Sequence, residues 1–145
     1  MPRETRRVRL VRVLTIGTFD VLHWGHIDFL KECQKLGELT VGVNTDEFTA
    51  KFKDAPIMNL KERMYALKQL GFYVVKNDSA GRKLIEKKEP DILVVGSDWA
   101  RKDYYKQIDV TQDWLDDHKI ILAYVPYVQE MIISTTEIKR RIREA

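Results

Sequence analysis

The sequence is poor in cysteine, in histidine and in long apolar runs. Cys33 is the single cysteine, so no internal disulfide can form, and a reducing cytoplasmic setting is expected. No apolar stretch approaches the roughly 18–20 residues that cross a bilayer, so no membrane span is expected. The arginine-rich start is not followed by the apolar core of a secretory leader, and none is expected. Charge of one sign is also scarce: 25 Lys and Arg stand against 22 Asp and Glu, a net charge of +3. No repeat, linker or low-complexity segment interrupts the 145 residues, the usual size of one domain.

What charge asymmetry exists lies at the start. Arg3, Arg6, Arg7, Arg9 and Arg12 face one acid, Glu4, and the rest of the chain is nearly neutral. Such an arm can grip nucleic acid or anionic lipid. No interleaved aromatics argue for base stacking, so nucleic acid is not the expected partner. Residues 1–12 read as a solvated basic arm running into a first strand, and residues 13–145 as a single domain.

Apolar periodicity then alternates between strand and helix five times. Strands are expected over "VRLVRVLTIG", "ELTVGVNTD", "FYVV", "DILVVGSD" and "KIILAYVPY". Helices are expected over residues 24–36, stopped by Gly37; over "LKERMYALKQL", capped by Asn59 and ended by Gly71; over "AGRKLIEKKEP"; over "VTQDWLDDH"; and over "STTEIKRRIREA", where Ser134 and Glu137 suit a capping box. The stretch "EFTAKFKDAPIMN" reads as a polar loop. This order predicts an α/β, Rossmann-like open parallel five-stranded sheet with helices on both faces. Ligands bind such sheets beyond the carboxyl ends of the strands, at the switch point. Gly17–Asp20, Asn44–Asp46, Gly96–Trp99 and Pro126–Ser134 all fall there.

Two of the three histidines lie in "IGTFDVLHWGHIDFL". His23 and His26, at i and i+3, share one face of a helical first turn. A strand-end glycine followed by a helix N-terminus offers unpaired N–H groups to phosphate, and Gly25 removes a side chain between the imidazoles. Two imidazoles there can donate to phosphoryl oxygens as charge develops. A zinc site would need Cys33 as third ligand, but that residue lies two turns deeper among Phe29, Leu30 and Leu36, where an inert buried thiol is expected. The pattern is neither GxGxxG nor a Walker loop. Asp20 could simply cap the helix, Asp98 could be a turn residue, and Trp99 and Trp114 read as core or interface aromatics.

"GTFDVLHWGH" resembles the HxGH nucleotidyltransferase superfamily and, within it, the cytidylyltransferases. "FKDAPIMNLKER" resembles that family's lysine loop and following helix, "VVGSDW" its "GDDW" strand end, and "ISTTEIKRRI" its "ISTT" helix start. The pattern and length are most similar to the short bacterial type that acts on glycerol 3-phosphate. The resemblance implies transfer of a nucleoside monophosphate from CTP, or ATP, to a phosphorylated acceptor, with Mg²⁺ accompanying the triphosphate, no protein-bound metal, and a homodimer. It implies His23, His26 and Lys53 as catalytic residues. Gly17, Thr18, Phe19, Gly25, Asp98, Ser134, Thr135 and Thr136 would contact the nucleotide, with Arg63 and Lys51 on phosphate or acceptor. Two departures stand out. Gln129 or Glu130 occupies the place of an arginine in the family's "RTxGISTT", and Ile132 replaces its glycine. That loss weakens charge stabilisation unless Lys139, Arg140 or another chain compensates. "KQLGFYVV" lacks the charged residues of the family's "RYVDEV", a segment near acceptor or dimer contacts. Sister adenylyltransferases acting on a sugar phosphate or FMN share "PIMNLKERM" and "PDILVVGSDW". A nucleotide-binding regulator on a decayed transferase is the non-enzyme alternative.

Overall fold

The computed structural model describes residues 9–126 and 134–145. Five strands form one parallel sheet: β1 (Arg12–Gly17), β2 (Glu38–Asn44), β3 (Tyr73–Asn77), β4 (Ile92–Gly96) and β5 (Ile121–Val125), in the order β3-β2-β1-β4-β5. The order reverses between β1 and β4, which creates the crevice where such folds place their ligands. Seven α-helices are present among the described residues: α1 (Trp24–Gln34), α2 (Asp46–Thr49), α3 (Leu60–Gln69), α4 (Arg82–Lys88), α5 (Tyr104–Ile108), α6 (Gln112–Asp117) and α7 (Thr135–Arg143). A 3₁₀ turn spans Ser97–Arg101.

Side-chain alternation along the strands divides the core into two layers. Val13, Val41, Val43 and Val94 pack with Phe29, Leu30 and Cys33 of α1 and Leu67 of α3. Leu14, Leu93 and Val95 face the other way, onto Leu84 and Ile85 of α4, Tyr104 and Ile108 of α5 and Leu115 of α6. Adjacent residues such as Val13 and Leu14 thus anchor opposite layers, each nearly fully buried. Burying such a side chain contributes about 1.5–3 kcal/mol. The layered α/β architecture expected from the sequence is the one observed.

The differences have local causes. β1 begins at Arg12 rather than Val8: Leu10 and Val11 are exposed, and Asp91 ties down the segment leading into this central strand, accepting from the Arg12 N–H and pairing with Arg9 at 2.8 Å. Two of the five N-terminal arginines therefore contact the domain itself, Arg12 also reaching Glu89. The expected polar loop after β2 contains α2, capped by Thr45. The 3₁₀ turn and α5 follow β4 where no helix was expected. Asn59 caps α3 as expected, with Glu62 completing a capping box. Ser134 caps α7 through Glu137 N, but the Glu137 carboxylate turns to Arg140 and Arg141.

Candidate active site

The loop between β1 and α1 is held in an unusual backbone. Phe19 (φ 55°) and Val21 (φ 49°) both lie in the left-handed region, which L side chains, and β-branched ones above all, adopt at a cost. Bonds from three other segments hold it there. The Asp20 carboxylate accepts from Ile57 N at 2.8 Å and Met58 N at 2.9 Å. The Asp20 carbonyl accepts from the Thr135 hydroxyl at 2.6 Å, and the Thr18 carbonyl from Arg63 at 2.7 Å. Gly17 allows the Phe19 ring to fold back: a Cβ there would sit 2.9 Å from it. The ring then meets His26 edge-on, centroids 5.6 Å apart.

The histidines start α1. His23 is its N-cap, and its Nδ1 accepts from Gly25 N at 3.0 Å. His26 Nδ1 accepts from His23 N at 3.3 Å, completing a capping box built of imidazoles. Acceptance at Nδ1 leaves the proton of each neutral ring on Nε2. The rings stack, centroids 3.8 Å apart. Burial lowers the His23 pKa; burial, then the charges of His23 and Lys53, take that of His26 to about 3. Both rings are neutral Nε2–H donors near neutral pH. The Nε2 of His23 is buried with no partner among the described residues.

His26 borders a cavity of about 430 Å³ at the switch point, floored by Gly17, Thr18 and Phe19. Gly96, Asp98 and Trp99 form one wall, and Thr135, Thr136, Lys139 and Arg143 of α7 another. Lys53 closes it from the loop after α2. Three cations thus share this cavity with Asp20, Asp54 and Asp98. Lys139 is steered by Asp20, 3.5 Å away. Burial alone would raise the Asp20 carboxyl, but the Met58 and Ile57 N–H groups and Lys139 outweigh it and hold it below its usual range. Desolvation, then repulsion from Lys139, lowers the Lys53 pKa. Lys53, Lys139 and Arg143 offer a polyphosphate three cationic partners in one concave site, which the three carboxylates bring close to neutral overall.

The expected site residues separate into two groups. His26, Lys53, Gly17, Thr18, Phe19, Asp98, Thr135 and Thr136 converge on the cavity, with His23 stacked directly behind His26. Lys51 is exposed and borders neither this cavity nor its neighbour, so Lys53 is the loop lysine that reaches the site. Gly25 is buried and its N–H is spent on His23. Ser134 uses its hydroxyl on Glu137 N as a cap. Arg63, expected on phosphate, is almost wholly buried and does not line the cavity. It donates instead to the carbonyls of Met58, Thr18 and Asn44, at 2.9, 2.7 and 2.8 Å, and pairs with Asp46 at 2.5 Å. Its planar fork ties the ends of β1 and β2 to the lysine loop. Asp20 does not cap α1, since His23 does. Gln129, Glu130 and Ile132 lie outside the described residues. Arg140, a suggested compensating cation, is exposed and paired with Glu137 and Glu144; Lys139 and Arg143 face the cavity instead. Arg143 and Asp54 were not anticipated. Arg143 follows Lys139 by four residues, one helical turn on the same face, which was a readable signal.

A family model described as cytidylyltransferase-like matches residues 14–141. The chain belongs to the cytidylyltransferase-like family. It carries a nucleotidyltransferase domain. Among relatives of this cytidylyltransferase-like chain, the glycerol-3-phosphate cytidylyltransferase of Bacillus subtilis is 33% identical over 90% of this chain and 96% of its own length. The FAD synthase of Aciduliprofundum boonei is 41% identical over 61% of this chain and 62% of its own. The bifunctional protein HldE of Helicobacter pylori is 39% identical over 63% of this chain, which spans only 21% of that protein. The crystal structure of the lipopolysaccharide core biosynthesis protein from Thermoplasma volcanium superposes with a TM-score of 0.59 at 25% identity, over 82% of this chain and 98% of that one. No described helix is long and apolar enough to cross a membrane.

Proposed function

We propose that this chain transfers CMP from CTP to the phosphate of a small phosphorylated alcohol, glycerol 3-phosphate in the first instance, and releases pyrophosphate. The observation that carries the reading is the neutral His26 imidazole, backed by the stacked His23 ring, in one cavity with three cations. The choice of CTP and glycerol 3-phosphate is supported by the Bacillus subtilis relative, which matches along nearly the full length of both chains.

In this reading the triphosphate lies over the β1–α1 loop, with Lys139, Arg143 and the α7 threonines at its β- and γ-phosphates. Mg²⁺ arrives as part of the triphosphate substrate. An anionic phosphate oxygen of the acceptor attacks the α-phosphorus. A new O–P bond forms as the bond to pyrophosphate breaks, and its electron pair leaves with pyrophosphate. The attacking oxygen is already deprotonated, so no strong general base is needed. Catalysis rests on alignment and on charge stabilisation at the α-phosphorus by His26, His23 and Lys53. Arg63 and Asp20 position the loops that carry those groups. A cytoplasmic homodimer is part of this reading.

Pyrophosphate release measured with CTP and ATP against glycerol 3-phosphate, a sugar phosphate and FMN tests it. Turnover is expected with CTP and glycerol 3-phosphate. Preference for ATP with FMN would select the adenylyltransferase reading, which the FAD synthase relative favours. Calorimetric nucleotide binding without product from any pair would select a binding regulator.

A further inference from the structure

A second cavity, of about 100 Å³, adjoins the first. Ile16, Gly17, Thr18, Lys53 and Trp99 border both. Its remaining walls come from elsewhere: Asn44 at the end of β2, Phe52 on the lysine loop, Ala80 before α4, and Tyr104, Gln107 and Ile108 of α5. Its size is several times the ~10–15 Å³ that one water requires, room for a short hydroxylated chain.

The lining mixes apolar side chains with Thr18, Asn44, Tyr104 and Gln107, and among the described residues its one full charge is the Lys53 ammonium. Asn77 donates to Asn44 Oδ1 at 2.8 Å, which fixes the Asn44 amide so that its nitrogen faces the Thr18 hydroxyl, 3.5 Å away. The Tyr104 hydroxyl is buried and has no hydrogen-bond partner among the described residues. Such a donor is costly to bury unless something else satisfies it. Two of the aromatic walls already carry a lysine. Lys102 lies over the Trp99 ring at 5.1 Å and Lys53 over Phe52 at 5.9 Å. A second cation here would meet the like charge of Lys53.

We propose that this smaller cavity seats the acceptor, and that it takes an uncharged polyol bearing one phosphate. Lys53, at the junction of the two cavities, holds the acceptor phosphate against the nucleotide. Thr18, Asn44, Tyr104 and Gln107 bind the polyol hydroxyls. Phosphocholine-like acceptors are refused by the like charge of Lys53. The acceptor role rests on the transfer reading above; binding in the small cavity does not.

The test is titration of the ¹⁵N-labelled full chain with glycerol 3-phosphate, erythritol 4-phosphate and phosphocholine, and separately with CTP, read by amide shifts. The two polyol phosphates are expected to move the amides of Ala80, Gln107 and Ile108, and phosphocholine to move them far less. Gln107→Ala is expected to weaken glycerol 3-phosphate about tenfold, the loss of one hydrogen bond, while CTP binds as before. Tyr104→Phe, which removes only an unpartnered hydroxyl and keeps the core packing, is expected to do the same without loss of stability. Unmoved amides in that set, or phosphocholine bound as well as glycerol 3-phosphate, overturns the assignment. Transfer activity with unmoved amides defeats the small cavity and leaves the transfer reading standing. Moved amides without transfer from any nucleotide defeats that reading and leaves the polyol phosphate site standing.

Discussion

His26 accepts the backbone N–H of His23 at 3.3 Å while its ring stacks on that of His23 at 3.8 Å. One pair of side chains therefore starts the helix, fixes its own tautomers and sets His26 at the cavity with His23 stacked behind it. Capping and catalysis can be separated by substitution. Asparagine is a good N-cap without an imidazole Nε2. His23→Asn is expected to leave the melting temperature within a few degrees of wild type and to lower kcat by at least tenfold. His23→Ala is expected to lose activity and also about 1 kcal/mol of stability, read by urea unfolding. Equal stability of the two variants contradicts the cap.

Arg63 makes a different forecast from the one its sequence position suggests. A phosphate ligand can be replaced at modest cost to the fold. A buried guanidinium that serves three carbonyls and Asp46 cannot. Arg63→Met is expected to destabilise the chain by several kcal/mol, about 1–3 kcal/mol for each carbonyl left without its donor. Arg63→Lys keeps the charge and loses the fork, and is expected to lose most of kcat as well as stability. A stable Arg63→Met variant with only a raised KM for the acceptor contradicts the bracing role.

That residue shows where the sequence stops being informative. Strands and long helices were legible because their signals are local: the continuous apolar run in "DILVVGSD", the Asn59 cap, and the helical spacing of Trp24, Ile27 and Leu30, although the buried face of α1 runs through His26, Phe29, Leu30 and Cys33 and leaves Trp24 exposed. HWGH, Lys53 and the two threonines after Ser134 were legible as motifs. Arg63 and Asp20 were not, since their partners, Thr18, Asn44, Ile57 and Met58, are brought to them by the tertiary fold. The helices α2 and α5 were missed because four- and five-residue helices carry too few turns to show a period.

Acid is expected to destabilise the fold through His26 and Asp20 together. The His26 pKa is depressed from 6.5 to about 3 in the folded chain. Between those values the unfolded state binds a proton that the folded state refuses, so stability falls as pH falls through that window, by up to about 1.4 kcal/mol per pH unit. The Asp20 carboxyl is also lowered by folding, and its contribution, present above its ordinary pKa, is lost as pH falls further. His26→Gln is expected to flatten the pH dependence of urea unfolding between about pH 6.5 and pH 4. An unchanged slope contradicts the neutral, buried state of this ring.

Lys139 and Arg143 supply the cavity's charge on the α7 side. Lys139→Gln and Arg143→Gln are each expected to raise the KM for the nucleoside triphosphate about tenfold and to leave the KM for the acceptor within twofold. Arg140→Gln, whose parent pairs with Glu137 and Glu144 on the surface, is expected to change neither. Steady-state kinetics with each substrate varied in turn separates these outcomes. An effect confined to Arg140→Gln contradicts the placement of the triphosphate along α7.

The central claim is nucleotidyl transfer carried by the capped histidine pair, and ³¹P NMR of CTP, Mg²⁺ and glycerol 3-phosphate with the full chain tests it most directly. The account predicts growth of a diphosphate diester and of pyrophosphate in equal amounts. It predicts that folded His26→Ala forms both at least 10²–10³-fold more slowly, the range for removing one transition-state donor. Unchanged CTP after prolonged incubation with the wild-type chain, or His26→Ala turning over at the wild-type rate, would contradict it.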